Sequence, residues 1–170
     1  MKKSYLLSMI LLFSTIVCGF GQTSDEFVKR GFDKYCKEDF IGAVADFGYA
    51  LNINPKNEDA FFYRAMSKNN LKDFRGSLSD INEAIKINPD LGAYYLIRAD
   101  AKNKLRDFNG AIDDYNKTIE LEPIRLARAY YERGLLRIHF NQKESGCIDL
   151  SKAGELGWEE SYKAIKQFCQ

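Results

Sequence analysis

The sequence predicts an all-α fold: a solenoid of four antiparallel helix–turn–helix repeats closed by a C-terminal capping helix. Three observations carry this prediction. The stretches "LKDFRGSLSDINEAIKINP" (71–89) and "LRDFNGAIDDYNKTIELEP" (105–123) share Leu, Asp, Phe, Gly, Asp, Asn, Ile and Pro at the same places, 34 residues apart. A weaker copy, "KEDFIGAVADFGYALNINP" (37–55), stands 34 residues upstream, and the chain's 3 prolines, Pro55, Pro89 and Pro123, keep the same phase. Within each unit the apolar residues recur at helical spacing in two runs. A fixed period of this length means a stacked repeat architecture.

The N-terminus stands apart from the repeats. Lys2 and Lys3 precede an apolar run from Tyr5 to Phe20, and Gly19-Phe20-Gly21 has the small-x-small form of a cleavage site. Residues 1–21 therefore read as a secretory signal peptide, cut between Gly21 and Gln22. The expected location is exported, periplasmic or extracellular. The alternative is an uncleaved membrane anchor. Against it, the run is short for a span of about 20 apolar residues and contains Ser8, Ser14 and Thr15. Lipidation at Cys18 would want a small residue before it, where Val17 stands. With Lys2 and Lys3 removed the remainder is close to neutral, so no basic excess points to nucleic acid or to an anionic membrane surface.

Residues 22–170 read as one domain, with repeats over about 24–57, 58–91, 92–125 and 126–157 and a capping helix over 158–169. In the second unit the helices are "EDAFFYRAMSKNNL" and "FRGSLSDINEAIKI"; in the third they are "GAYYLIRADAKNKL" and "FNGAIDDYNKTIEL". The turns Lys72-Asp73 and Arg106-Asp107 place an aspartate to cap the second helix. The closing "NP" or "EP" stops it, because proline disfavours helical geometry in the residue before it. Small residues mark close approach: Gly31, Ala65, Ala99 and Gly134 on first helices, and Ala43, Ser77, Ala111 and Gly146 on second helices. Phe27, Phe61, Tyr95, Tyr130, Phe47, Ile81, Tyr115 and Leu150 fill the space beside them. Arg30, Arg64, Arg98 and Arg133 each precede an aspartate by 16 residues. An ion pair that fixes the register within each unit accounts for this better than a ladder of ligand contacts.

The 34-residue period, the small positions, the aromatic fillers, the closing prolines and the recurring "D-F-x-G" wording resemble the tetratricopeptide repeat. The resemblance covers 24–157 and implies a right-handed superhelix whose first helices line a concave groove for a partner segment. Carried over by position, the groove residues are Val28, Phe32 and Tyr35; Phe62, Met66 and Asn69; Leu96, Asp100 and Asn103; and Tyr131, Leu135 and Ile138. Each triplet falls on one helical face. Relatives that hold a C-terminal carboxylate do so with groove cations, and here apolar residues and Asp100 stand at those places. An apolar or aromatic segment is the expected ligand.

The fourth unit departs from the pattern. One extra residue follows Pro123, Lys143 replaces the phenylalanine of Phe40, Phe74 and Phe108, and no proline closes the unit. A terminal repeat needs a polar face or a cap, and Tyr162, Ile165 and Phe168 are expected to pack inward from one. Cys147 and Cys169 either form a disulfide that clips this cap or pack as two thiols, and the sequence leaves both readings open. Cys36 has no evident mate in the chain and is a free or an intermolecular thiol.

Catalysis is not expected. The single histidine, His139, cannot build a triad or a zinc site, and no glycine-rich phosphate loop is present. No metal and no cofactor are predicted. The predicted function is an exported scaffold for protein–protein interaction that binds a partner peptide of unidentified sequence in its groove. The alternatives are a self-associating structural subunit of an envelope assembly and a thiol activity at Cys36.

Overall fold

The computed structural model describes residues 22–122 and 126–170. The signal-peptide reading, Cys18 and Pro123 lie outside these residues. Nine helices and no strands occur among the described residues: α1 (Ser24–Cys36), α2 (Phe40–Ile53), α3 (Glu58–Asn70), α4 (Phe74–Ile87), α5 (Gly92–Lys104), α6 (Phe108–Leu121), α7 (Ala127–His139), α8 (Lys143–Glu155) and α9 (Glu160–Phe168). They pair as the hairpins α1/α2, α3/α4, α5/α6 and α7/α8. Each second helix also packs on the first helix of the next hairpin, and α9 packs on α8.

The turn inside each hairpin follows one recipe. Glu38, Lys72, Arg106 and Asn141 take left-handed backbone, with φ of 61°, 62°, 66° and 61°. This lets the next amide reach back into the last helical turn, as when Asp73 N–H donates to the Lys68 carbonyl at 2.9 Å. Asp39, Asp73 and Asp107 then cap the second helix by accepting from the amides of Gly42, Gly76 and Gly110. In the fourth unit Gln142 stands at this place and makes no side-chain cap.

The predicted small-to-large packing forms the core. Phe47, Ile81, Tyr115 and Leu150 are all 0% exposed. Gly134 and Gly146 face each other so closely that a Cβ on Gly146 would stand 2.7 Å from the Gly134 carbonyl oxygen. All four arginine–aspartate pairs form, each through two hydrogen bonds from the guanidinium. The structure adds what the spacing did not reveal. A second cation one turn further along, Lys34, Lys68, Lys102 or Arg137, reaches the same carboxylate at 2.7–2.8 Å. Each arginine also lies over the aromatic ring three residues before it, Phe27, Phe61, Tyr95 or Tyr130. These pairs tie the two helices of each hairpin together.

Both ends of the stack are finished differently. Ala60, Tyr94 and Ala129 are buried where each first helix meets the preceding repeat, as are Ser67, Ala101 and Leu136 further along the same face. In α1 these positions are Glu26 and Asp33, both exposed, with exposed Lys29 between them. Among the described residues no repeat covers this charged face, as suits the end of an array. At the other end α9 covers α8, and a disulfide joins Cys147 to Cys169 with a Cα–Cα distance of 5.8 Å.

The cap corrects one expectation. Ser161 and Ala164 are the buried residues of α9, while Tyr162 is 62% exposed. The helix packs on α8 through Ser161 and Ala164. The Tyr162 ring is displaced sideways over Gly154 and its hydroxyl donates to the Gly154 carbonyl at 3.2 Å.

Candidate functional site

The first helices of all four hairpins contribute to one concave face, which holds a cavity of about 280 Å³. Tyr35 enters from α1, Met66 and Asn69 from α3, Ile97 and Asp100 from α5, and Arg128 from α7, with Lys104 and Phe74 at its margin. Four of the residues named from sequence, Tyr35, Met66, Asn69 and Asp100, therefore meet here.

The other eight are spread along the same helices. Phe32 is 40% exposed and lies edge-on to Tyr63 at 5.0 Å between centroids. Val28 packs against the core around Phe47, and Phe62 lies 5.1 Å from the Tyr94 ring. Leu96 packs against the core formed by Ala99, Tyr115 and Leu136. The Ile138 side chain lies against Gly146, inside the last hairpin. The Tyr131 ring lies tilted beside Trp158 at 5.8 Å between centroids, at the capped end. Asn103 and Leu135 are part-buried. Much of the apolar stripe is thus taken up in joining repeat to repeat, a use that spacing along a single helix does not separate from ligand binding.

The polar part of the cavity centres on Asp100. Its carboxylate accepts from the Tyr115 hydroxyl at 3.1 Å and from Arg128 Nη2 at 2.6 Å, and so ties the third hairpin to α7. Burial pushes the Asp100 carboxyl up, against the pull of Arg128 and the Tyr115 hydroxyl. Burial also raises Glu132, one turn beyond Arg128, and the neighbouring Asp100 charge adds to the effect. Desolvation, with Asp100 beside it, raises the Tyr115 hydroxyl strongly. Asn69 is held weakly: its Nδ2 reaches the Ile97 carbonyl at 3.5 Å, and its Oδ1 is buried without a hydrogen-bond partner.

Arg128, Lys104, Ile97 and Glu132 were not picked out from the sequence, although a signal was present. Aligned through the repeats, Arg128 stands where Asp25, Asp59 and Ala93 stand, and Glu132 where Lys29, Tyr63 and Ile97 stand. Asp100 replaces Phe32, Met66 and Leu135. Asp100 is the one charged residue at its repeat position, and it meets Arg128 of the adjoining unit.

Among the described residues no group of His, Cys, Asp and Glu is arranged to hold a metal ion, and no helix is long and apolar enough to cross a membrane. His139 is exposed, with its ring 5.6 Å from Phe108, and Cys36 is an exposed free thiol.

No protein-family model matches the sequence, and no curated protein matches it. Solved structures are similar to it in fold. The MamA protein shares 20% identity over 86% of this chain and 80% of its own, with a TM-score of 0.77. A thermophilic TPR protein in Thermus thermophilus shares 18% over 84% and 83%, with a TM-score of 0.70. The first TPR of Spaghetti (RPAP3), bound to the HSP90 peptide SRMEEVD, shares 23% over 71% and 94%, with a TM-score of 0.68. Helices paired as successive hairpins, with first helices side by side, recur here as they do in a tetratricopeptide-repeat solenoid, and that is the fold of this chain.

Proposed function

We propose that the chain is an exported scaffold that binds a partner segment on its concave face and performs no chemistry. The observation that carries this reading is the cavity itself. Helices from all four hairpins wall it, and it combines apolar surface from Tyr35, Met66 and Ile97 with an under-used amide at Asn69. Concave sites that join apolar walls to convergent polar groups are where ligands bind. A structural neighbour holds a peptide, which supports the use of such a face without identifying this chain's ligand. Export rests on the N-terminal sequence. The test for it is N-terminal sequencing of the chain recovered outside the cytoplasm, with Gln22 as the expected first residue.

The groove reading is tested by selecting a random linear-peptide phage library on residues 22–170 and on an Asn69→Arg variant that fills the cavity. The parent is expected to enrich peptides that the variant does not retain, with matching circular dichroism melts. Equal retention by both would sink the assignment.

One observation favours the self-association reading. Ile41 and Tyr49 on the outer face of α2 are 74% and 54% exposed, where α4 carries Arg75 and Glu83 and α6 carries Asn109 and Lys117. An exposed apolar face of this kind is a candidate for lateral contact. Sedimentation velocity decides: a monomer across the accessible concentration range removes this reading. A dimer dispersed by Tyr49→Lys would establish it.

A further inference from the structure

We infer that the C-terminal cap is a redox-released strap: the Cys147–Cys169 disulfide holds α9 down, and a dithiol reductant frees it and opens the capped end of the array. The inference goes beyond the scaffold reading and stands whether or not a segment binds in the cavity. It starts from how little besides the bond fastens α9. Leu51, Ile85 and Ile119, one on each earlier second helix, pack into clusters that include Ala60, Tyr94 and Ala129 of the following first helix. In α8 that position is Gly154. Val44, Leu78 and Ile112 likewise give way to Cys147, and the recurrent phenylalanine to Lys143. The face that receives α9 has lost its apolar anchors and gained a cysteine.

From its own side α9 buries two small residues, Ser161 and Ala164. The Trp158 indole N–H and the Ser161 hydroxyl are enclosed there without a hydrogen-bond partner. Enclosing such groups unpaired costs free energy, so closure of the cap is opposed as well as weakly driven. The chain turns from α8 into the cap at Gly157, whose φ of 90° and open surroundings suit a hinge. The disulfide clips the other end of α9 back to the first turns of α8. Closed, the strap sets Trp158 beside the Tyr131 ring of α7. Released, it takes Trp158 off Tyr131 and leaves that end of α7 open.

The bond is within reach of a reductant. Both cysteines are part-buried rather than enclosed, and Cys147 lines an open cleft with Arg137 and Ile148. A thiolate of the dithiol attacks one sulfur, the Cys147–Cys169 bond breaks and a mixed disulfide forms. The second thiol of the reductant then displaces the protein sulfur and closes the reductant's own disulfide. Two electrons and two protons pass to the protein, which is left with thiols at Cys147 and Cys169.

The test uses Trp158, the single tryptophan of the chain. Residues 22–170 carrying Cys36→Ser, so that Cys147 and Cys169 are the remaining cysteines, are followed before and after dithiothreitol, with free thiols counted at each stage. Reduction should shift Trp158 emission to longer wavelength and raise its quenching by acrylamide. Hydrogen exchange of α9 should speed up about a hundredfold, the ratio expected when a loop of this size is no longer closed. Helices α1–α4 should keep their protection, and reoxidation with glutathione disulfide should restore the starting spectrum. The Cys147→Ser/Cys169→Ser variant should show the released spectrum without reductant and give no response to it. Free thiols at both cysteines before reduction would overturn the inference, because the clip would not exist. Unchanged emission and exchange in the fully reduced chain would overturn it too, by showing that packing alone holds the cap. Loss of protection in every helix would make the bond a staple for the whole array, and the strap would be wrong.

Discussion

Lys72 gives up backbone freedom to make a turn. Its φ of 62° lies in the left-handed region, which costs a residue with a Cβ roughly 1–2 kcal/mol. Asn141 tolerates that region and the Arg106 guanidinium lies over the Phe108 ring, whereas Glu38 and Lys72 make no side-chain hydrogen bond or ion pair to offset the cost. Lys72→Gly should therefore stabilise the chain by about 0.5–1 kcal/mol, once the extra freedom of glycine in the unfolded chain is set against the gain. Urea unfolding measures this, and an unchanged midpoint would show that the turn is not strained. Titration separates two kinds of carboxylate. Hydrogen bonds from Arg30, then Lys34, hold Asp46 below its ordinary value despite its burial. The stability it contributes is present above the unfolded carboxyl pKa and is lost as pH falls through the lower folded value. Glu132 runs the other way: its folded carboxyl binds a proton more readily, so its ionisation costs stability as pH rises through the normal range and beyond. Glu132→Gln should be at least as stable as the parent at neutral pH, with the advantage disappearing on acidification towards the ordinary carboxylate range. A pH series of thermal melts checks the sign. An advantage that grows in acid would place Glu132 in a favourable contact instead.

At the scale of the helix, glycines that look alike in sequence have opposite roles. A Cβ on Gly48 would meet only Arg64 Nη1, at 3.9 Å. The equivalent positions in the next two units are Asn82 and Asn116, whose side-chain oxygens accept from Arg98 at 3.0 Å and Arg133 at 2.7 Å and so link one repeat to the next. Gly48→Asn should restore that link to Arg64 and remove a helix-interior glycine, for a gain of about 0.5–1 kcal/mol. Gly146→Ala should cost about 1–3 kcal/mol, because the added methyl meets the Gly134 carbonyl and Ile138 Cγ1 at 2.6–2.7 Å, and the helices must part. Chemical denaturation of the two variants gives both signs in one experiment. The sequence anticipated most of this level. Helix bounds, the aspartate caps, the close-approach positions and the four arginine–aspartate pairs all follow from the period, because each is a local requirement repeated in every unit. Tyr162 was misplaced for the same reason: α9 belongs to no repeat, so its facing could be read only from the amphipathic pattern, and Ser161 and Ala164 take the buried places while Ile165 and Phe168 are part-buried.

The whole molecule is a short stack finished at both ends, by the charged face of α1 and by α9. In such arrays each repeat is stabilised mainly by its neighbours, so a local loss stays local. The Cys147–Cys169 disulfide closes a loop with a sequence separation of 22, worth about 3 kcal/mol on the chain-entropy model. In the Cys147→Ser/Cys169→Ser variant, hydrogen exchange should accelerate in α9 and α8 while the first two hairpins keep their protection. Uniform acceleration through all helices would mean that the array unfolds as a single unit.

The sequence by itself determined the architecture of this protein, since a repeated solution to one packing problem leaves its period, its small residues and its paired charges in plain order. It also marked the helices that form the concave face. Only the tertiary structure decided how that face is divided. Val28, Phe62, Leu96 and Ile138 went into packing within and between hairpins, and the open cavity was left to Tyr35, Met66, Asn69 and Asp100 together with Arg128 from the next unit. The physical reason is that a side chain on the apolar stripe of a helix satisfies the same spacing whether it meets a neighbouring repeat or a ligand. Which of these it meets depends on the distance between helices, which no single helix encodes.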